Sequence, residues 1–206
     1  MKKCRLGVLV SGSGTNLQAI IDAGEGRSYP AEAVLVISNR PDAYALERAK
    51  KKKIPAAVIP HGDYPSREEF EKAMIRRLDE AKVDLVVLAG FMRVLSPVFV
   101  RHYPNRIMNI HPALLPSFPG VGAVEKAWKY GVKMTGVTVH FVDDGTDTGP
   151  IILQKEVPVG ETETLETLEK KIHAAEHQLF PEAIRLYAEG KLSVNERRVL
   201  IKGEVS

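Results

Sequence analysis

Short, largely apolar runs alternate with helical patterns through the first half of the chain. Runs of this length are typical of buried strands, and they lie at residues 6–10, 31–39, 56–60, 83–90 and 106–110. Apolar residues at helical spacing lie at 16–26, at 42–53 and, after a capping box of Ser66 and Glu69, from residue 67 onwards. This alternation predicts an α/β fold with a doubly wound, mostly parallel central sheet of the Rossmann-like kind.

The second half predicts an antiparallel extension of that sheet and one long helix. The predicted elements are strands at 135–142 and 150–159, and helices at 123–131 and from Thr164 to Glu189. Pro181 falls inside the long helical pattern and predicts a kink there. We therefore expect one domain, residues 1–206, with helices on both faces of the sheet.

The charge balance argues against nucleic acid as a partner. Twenty-nine Lys and Arg oppose 26 Asp and Glu, which leaves a net charge of only +3 spread along the chain. Nucleic-acid-binding domains usually carry a concentrated basic patch instead. We expect no nucleic-acid partner, whereas small anionic ligands fit this composition.

The single cysteine and the short apolar runs indicate a cytoplasmic protein. Cys4 has no second cysteine to pair with, as is usual in a reducing compartment. No apolar segment approaches the roughly 20 residues that span a membrane, and the run after Lys3 is too short for a secretory leader. We expect a cytoplasmic location and no membrane contact.

Glycines and small hydroxyl residues fill the connection SGSGTNL at 11–17, between the first predicted strand and the first predicted helix. Backbone N–H groups in such a turn, and the N-terminus of the helix behind it, attract anions. The stretch lacks the Lys of a P-loop and the third glycine of a dinucleotide fingerprint. It is interpreted either as a phosphate-binding loop or as a tight turn between strand and helix.

Asn109 and His111 end the fifth apolar run, where the chain enters the proline-rich stretch HPALLPSFPG. In an extended segment, side chains two residues apart leave the same face. An amide can hold the oxygen of a tetrahedral intermediate while an imidazole moves a proton, which is the chemistry of acyl transfer. The alternative is an Asn that satisfies backbone groups at a strand end beside an ordinary half-buried His.

Three aspartates, Asp143, Asp144 and Asp147, crowd the connection DDGTDTG between the two later strands. Such residues most often build turns by bonding to nearby backbone. The spacing does not match a calcium loop and lacks its distal Glu. A third interpretation is a carboxylate that folds back to orient His111.

His173, Glu176 and His177 match an H-x-x-E-H pattern, with both histidines on one face of the long predicted helix. A zinc site would need a further ligand from elsewhere, and five-residue matches also arise by chance. A polar helix face or a substrate-facing role is favoured. We expect no metal.

Five stretches in this order resemble the folate-dependent formyltransferases, and in particular the phosphoribosylglycinamide formyltransferases of purine biosynthesis. They are SGSGTNL, LAGFMRVL, MNIHPALLPSFPG, VHFVDDGTDTGPIILQ and AEHQLFP. The resemblance implies transfer of a formyl group from 10-formyltetrahydrofolate, a co-substrate, to the amine of glycinamide ribonucleotide, without a metal ion. It also implies that Asn109 holds the oxyanion, that His111 protonates the departing folate nitrogen, and that Asp147 orients His111 and helps to move the proton of the amine.

The resemblance also implies binding residues for both substrates. The nucleotide phosphate would lie on Gly14, Thr15 and Asn16, and the ribose hydroxyls on Glu176. His173 stands near the phosphate position, where other members carry Gln or Lys. The folate ring would contact Met92, Arg93, Val94 and Leu95, with Val142 and Asp143 less firmly assigned. His140 matches a family histidine in a supporting place, although a packed core histidine is an equally good interpretation.

These assignments divide the expected domain into a phosphate-binding half, 1–100, and a catalytic and folate-binding half, 101–206. Two relatives with the same catalytic core carry further domains, and we expect this chain to have room for neither. One transfers formyl to initiator methionyl-tRNA, and the other hydrolyses formyltetrahydrofolate. A hydrolase-like enzyme and a non-catalytic phosphate-binding module remain as alternatives, and the sequence leaves a monomer and a homodimer equally open.

Overall fold

The structure, a computed structural model, describes residues 2–26 and 28–203. It divides into two compact units, residues 1–108 and 109–206. The strands are β1 Cys4–Val10, β2 Ala31–Ser38, β3 Ala56–Val58, β4 Leu85–Leu88, β5 Ile107–His111, β6 Met134–Phe141, β7 Ile151–Pro158, β8 Leu192–Asn195 and β9 Arg198–Ile201. The α-helices are α1 Thr15–Gly24, α2 Ala45–Lys51, α3 Arg67–Glu80, α4 Pro97–His102, α5 Ala123–Tyr130 and α6 Leu165–Ala188.

The first unit contains parallel strands in the order β3-β2-β1-β4. Both central runs are buried along their length: the side chains of β4 are all buried, and Val8, Leu9 and Val10 of β1 are 0% exposed. Strands covered on both faces read as continuous apolar runs, which is why these two were predictable. Parallel strands bring their carboxyl ends to one edge, where ligands of such sheets usually bind.

Helix α3 shows how the helices of this unit bury one face. Phe70, Met74 and Leu78 recur every four residues and are almost fully buried, whereas the other charged residues of the helix, apart from the buried Glu71, face solvent. Ser66 caps the helix, since its side chain accepts a hydrogen bond from the Glu69 N–H at 3.2 Å. The predicted helix start at this serine is confirmed.

The second unit contains strands in the order β6-β7-β9-β8. β6 and β7 pair antiparallel from Met134↔Pro158 to His140↔Ile151, and β8 pairs antiparallel with β9. The predicted α/β class, with parallel strands followed by an antiparallel extension, is confirmed. The connection at 143–149 is thereby held at the end of a strand pair.

Helix α6 packs along this antiparallel pair. Leu168, Ile172 and Ala175 form one core cluster with Val137 of β6 and Val157 of β7. The helix begins behind a capping box, in which Thr164 and Thr167 bond reciprocally through side chain and backbone. It continues through the proline at 181 to residue 188, so the predicted span is confirmed and the face that carries His173 and Glu176 is set by this packing.

One predicted helix is too long, and one helix was not predicted. The helix predicted over 42–53 begins only at Ala45. It ends at Lys51, because Lys53 adopts a left-handed backbone with φ 55°. Helix α4 was not predicted, because six residues beginning at a proline carry too little periodicity to stand out.

Among residues 2–26 and 28–203, no helix combines the length and the apolar character needed to cross a membrane.

Candidate active site

Asn109 and His111 lie on the last residues of β5. Their neighbours on either side, Met108 and Ile110, are buried apolar residues of the strand's other face. Alternation along the strand therefore places the amide and the imidazole side by side on one face. The imidazole is 4% exposed and the amide is half-buried.

Both ring nitrogens of His111 face hydrogen-bond acceptors. Nδ1 lies 3.3 Å from Oδ2 of Asp147, and Nε2 lies 2.8 Å from the backbone carbonyl of Phe118. A carboxylate and a carbonyl can only accept, so both contacts are hydrogen bonds when both ring nitrogens carry a proton. The surroundings thus suit an imidazolium, which is a proton donor.

His140 connects Asn109 to the same carboxylate. Its Nδ1 donates to the carbonyl of Phe141 at 2.8 Å, which leaves Nε2 to accept from the Asn109 amide nitrogen at 3.1 Å. The same Nε2 lies 3.6 Å from Oδ1 of Asp147. His140 is 2% exposed, so it is a packed core histidine, and its contact with Asn109 also places it beside the site.

Asp147 is held in the ionised form by its neighbours. Burial alone would raise its pKa, but the neighbouring imidazole of His140, the hydrogen bond from the Gly120 N–H and the positive charge of His111 together hold the pKa below its ordinary value. The Gly120 N–H donates to Oδ2 at 2.8 Å. The residue adopts a left-handed backbone with φ 55°, which aspartate tolerates better than most side chains.

Asn109, His140, Asp147 and His111 thus form one chain of polar contacts within the second unit. It offers an amide donor, a proton-carrying imidazole and an anionic carboxylate around one point. Oxyanion stabilisation and proton transfer are the two requirements of acyl transfer.

Asp143 builds the turn that carries Asp147. Its Oδ1 accepts from the Gly145 N–H at 3.1 Å and from the Thr148 hydroxyl at 2.6 Å, the pattern of an Asx turn. Val142 beside it is half-buried. The carboxylate of Asp143 is therefore engaged with backbone and side chain of its own connection.

On helix α6, His173 and Glu176 form an ion pair at the helix surface. Nδ1 of His173 lies 3.0 Å from a carboxylate oxygen of Glu176, whose side chain is almost buried while the imidazole is 56% exposed. The hydrogen bond that His173 donates to the Glu176 carboxylate outweighs burial and raises the pKa of His173. His177 stacks on His173 with ring centroids 6.3 Å apart. Across residues 2–26 and 28–203 there is no group of three or more His, Cys, Asp or Glu arranged to hold a metal.

In the first unit, helix α2 holds the glycine-rich loop from behind. The carbonyl of Gly12 accepts from the Ala45 N–H at 3.1 Å, and that of Ser13 from Nε of Arg48 at 2.8 Å. With these carbonyls turned towards α2, the loop offers N–H groups to its other side. Gly14 precedes α1 with φ 71°.

Thr15 opens α1, and Asn16 in its first turn is 8% exposed. Because the first N–H groups of a helix lack partners within it, both residues lie where an anion is stabilised.

We expect Gly14→Ala to lower the free energy of unfolding by about 2 kcal/mol or more, because a left-handed backbone costs other residues roughly 1–2 kcal/mol. The new Cβ would also lie 2.6 Å from Cβ and 2.8 Å from Cα of Ala45. Urea denaturation measures the loss. Gly12→Ala is the matched control, since a Cβ there meets nothing within 4 Å. Equal stability of the two variants would contradict the argument.

The other predicted residues of the first unit lie in the loop after β4. Met92 and Val94 are exposed, at 70% and 54%, Arg93 is half-buried, and Leu95 is 6% exposed. Two apolar side chains on the surface of one short loop are available for contact with a ligand.

Sequence reasoning missed two backbone groups of the site, the Phe118 carbonyl and the Gly120 N–H. Both belong to a turn with left-handed backbone, φ 52° at Phe118 and 77° at Gly120. The letters FPG indicate a turn there. They do not indicate which peptide groups point at His111 and Asp147.

Comparison with known proteins assigns the family. Residues 4–184 match the model described as formyl transferase, and the chain belongs to this family. It is 42% identical over 185 residues to the phosphoribosylglycinamide formyltransferase of Bacillus subtilis, covering 90% of this chain and 94% of that protein. The crystal structure of glycinamide ribonucleotide transformylase 1 from Symbiobacterium toebii superposes with a TM-score of 0.94 at 52% identity, over 97% of this chain and 94% of that one.

Two further relatives are larger proteins. The chain is 46% identical over 197 residues to the trifunctional purine biosynthetic protein adenosine-3 of Chironomus tentans, which covers 95% of this chain but only 14% of that protein. A formyltetrahydrofolate deformylase from Pseudomonas syringae superposes with a TM-score of 0.90 at 26% identity, over 97% of this chain and 66% of that one.

Proposed function

We propose that this protein transfers the formyl group of 10-formyltetrahydrofolate to the primary amine of glycinamide ribonucleotide, in purine biosynthesis. The observation that carries the proposal is the set of contacts that joins Asn109, His140, Asp147 and His111, with 3.3 Å between His111 and the carboxylate. The names of the similar full-length proteins support the choice of substrates.

The reaction forms one C–N bond and breaks another. The amine nitrogen attacks the formyl carbon, and the carbonyl electrons move onto its oxygen to give a tetrahedral intermediate. The bond from that carbon to the folate nitrogen then breaks, and its electron pair stays on the nitrogen, which takes a proton. The amine loses one proton, so the products are the formylated amide and tetrahydrofolate.

Asn109 holds the oxyanion of this intermediate. Its amide nitrogen has two hydrogens, and the bond to His140 uses one of them. The other is available to the oxygen. A donor fixed in advance by a buried partner stabilises the developing charge without having to reorganise.

His111 donates the proton to the departing folate nitrogen. The proton on Nε2 is held by the Phe118 carbonyl in this structure, and transfer breaks that bond. Asp147 holds the other nitrogen and stabilises the positive charge. Acting through a water molecule, the same carboxylate takes the proton that the amine gives up.

The remaining residues bind the two substrates. Gly14, Thr15 and Asn16 hold the phosphate by backbone N–H groups and the dipole of α1, and Glu176 accepts from the ribose hydroxyls. Met92, Arg93, Val94 and Leu95 contact the folate ring, by apolar side chains and backbone groups. Val142 and Asp143 contact that ring through the backbone of their turn, because the Asp143 carboxylate already accepts hydrogen bonds within the turn.

His173 makes nucleotide binding dependent on pH. Only the protonated imidazole attracts the phosphate, and Glu176 raises the pKa of His173. The cation is therefore complete below the ordinary pKa of histidine and disappears as the pH rises through the raised value. We expect the KM for the nucleotide to rise above neutrality, measured in a pH series from 6 to 9.

His173→Lys is the matched variant for that series, since lysine keeps its charge throughout this range. Its nucleotide KM should stay flat where that of the wild type rises. A wild-type KM that is flat over the whole series would show that His173 does not bind the phosphate.

One assay tests the proposed function. The protein is mixed with glycinamide ribonucleotide and a formyl-folate analogue, and loss of the formyl form is followed by absorbance. We expect turnover that depends on the nucleotide. Turnover without nucleotide would indicate a hydrolase, the activity named for the Pseudomonas syringae relative, and nucleotide binding without turnover would indicate a binding module.

We also propose that the protein works in the cytoplasm. Cys4 is a free thiol, and burial, with the charge of Asp84, raises its pKa to about 12. Such a thiol is unreactive and suits a reducing compartment.

A further inference from the structure

The loop at residues 91–96, FMRVLS, exposes the apolar side chains in its middle, so these side chains do little to hold its conformation. Met92 and Val94 are 70% and 54% exposed, whereas both ends of the loop are buried. A loop of this kind keeps one conformation only if its ends are fixed, because ordering each residue costs about 1–2 kcal/mol of conformational entropy. The contacts at its two ends are therefore informative.

Ser11 fixes the first end. Its N–H donates to the Gly90 carbonyl at 3.1 Å, and its hydroxyl accepts from the Met92 N–H at 2.9 Å. The hydroxyl hydrogen is directed to Oδ1 of Asn39 at 2.7 Å, so the oxygen faces Met92 as an acceptor. Ser11 and Asn39 are 4% and 6% exposed, which shields these bonds from water.

Glu71 fixes the second end. One carboxylate oxygen accepts from the Ser96 N–H at 2.8 Å, and the other accepts from the Ser96 hydroxyl. Glu71 is 1% exposed on the buried face of α3, beside Phe70. An acid is costly at such a buried position unless its oxygens are hydrogen-bonded, and here both of them accept from Ser96.

We propose that Ser11 and Glu71 are positioning residues that fix the backbone of loop 91–96 for recognition of the folate ring. They act through Met92 and Ser96 and do not touch the ring. The inference rests on the proposed function, in which the backbone of this loop reads the hydrogen-bond pattern of the ring. A loop held in its binding conformation before the ligand arrives loses less entropy on binding.

The experiment compares four variants by steady-state kinetics with each substrate varied in turn. Ser11→Ala removes the acceptor of Met92, and Glu71→Leu removes both acceptors of Ser96. Glu71→Gln keeps an oxygen for the Ser96 N–H and is the conservative rescue. Ser66→Ala is the stability control, because it removes a cap from the helix that carries Glu71 and leaves the loop alone.

We expect Ser11→Ala and Glu71→Leu each to raise the KM for the formyl-folate about tenfold, with the nucleotide KM and kcat within twofold of the wild type. Hydrogen exchange of the 90–97 segment should be faster in both. Glu71→Gln should restore most of the folate affinity, and Ser66→Ala should leave both KM values unchanged while lowering the melting temperature.

If Ser11→Ala and Glu71→Leu are both active and have the wild-type KM for the formyl-folate, the positioning role is overturned and the proposed function stays intact. An equal rise of both KM values, or a rise in Ser66→Ala as well, would show a structural role alone and would also overturn it. Absence of formyl transfer by the wild type would remove the proposed function and this inference with it.

Discussion

Asn109→Ala is expected to lower kcat by about 10² or more while the fold stays intact. A well-placed oxyanion donor typically contributes about 3 kcal/mol to the transition state and little to the ground state. The side chain is half-buried at the end of β5 and bonds to His140 at 3.1 Å, so its loss leaves the apolar core of the second unit in place.

The measurement is kcat by absorbance, with the melting temperature and both KM values determined beside it. The loss should fall on kcat, since the bond strengthens only as charge develops on the oxygen. A kcat within fivefold of the wild type would remove the amide from the mechanism, and a rate loss that tracks a large fall in melting temperature would assign it a structural role.

Asp147→Asn is expected to lower kcat by about 10³, within the roughly 10²–10⁴ range of general acid–base groups. The amide has nearly the same shape, so the turn at 143–149 should persist. The charge that faces Nδ1 of His111 and accepts the proton of the amine is lost. Asp144→Asn, at an exposed residue of the same connection, is the control and should retain kcat.

The pH profile separates this role from packing. Burial opposes ionisation of Asp147, but His140, Gly120 and His111 together hold its pKa below the ordinary value. A carboxylate with a lowered pKa is active above that value and fails as the pH falls through it. As far as Asp147 is concerned, the kcat of the wild type should fall only below about pH 4. The Asp147→Asn variant should show no such fall. A fall in wild-type kcat centred above pH 5 would belong to another group.

The parts of the fold that could be predicted are those in which burial leaves a regular pattern of apolar residues along the chain. β4 is buried on both faces and shows as an apolar run, and α3 shows Phe70, Met74 and Leu78 every four residues behind a serine cap. The end of α2 could not be predicted, because a left-handed residue at Lys53 leaves no mark among four consecutive lysines.

The site divides in the same way. Asn109 and His111 could be selected because they share a strand face, and Asp147 because three aspartates crowd one connection. Glu71 could not be selected from the sequence, since nothing in its spacing shows that Ser96 bonds to it from 25 residues away. Contacts made by backbone groups, such as the Phe118 carbonyl, depend on the path of the chain and on no particular side chain.

The turn at 118–120 has a consequence for the genetics of this enzyme. Two peptide groups, two residues apart, bond to His111 and to the Asp147 carboxylate that faces it. A substitution that merely straightens the turn would release both groups together. Mutants selected for slow turnover should therefore cluster in this segment as well as at the polar side chains, and a survey of side-chain chemistry alone would pass over them.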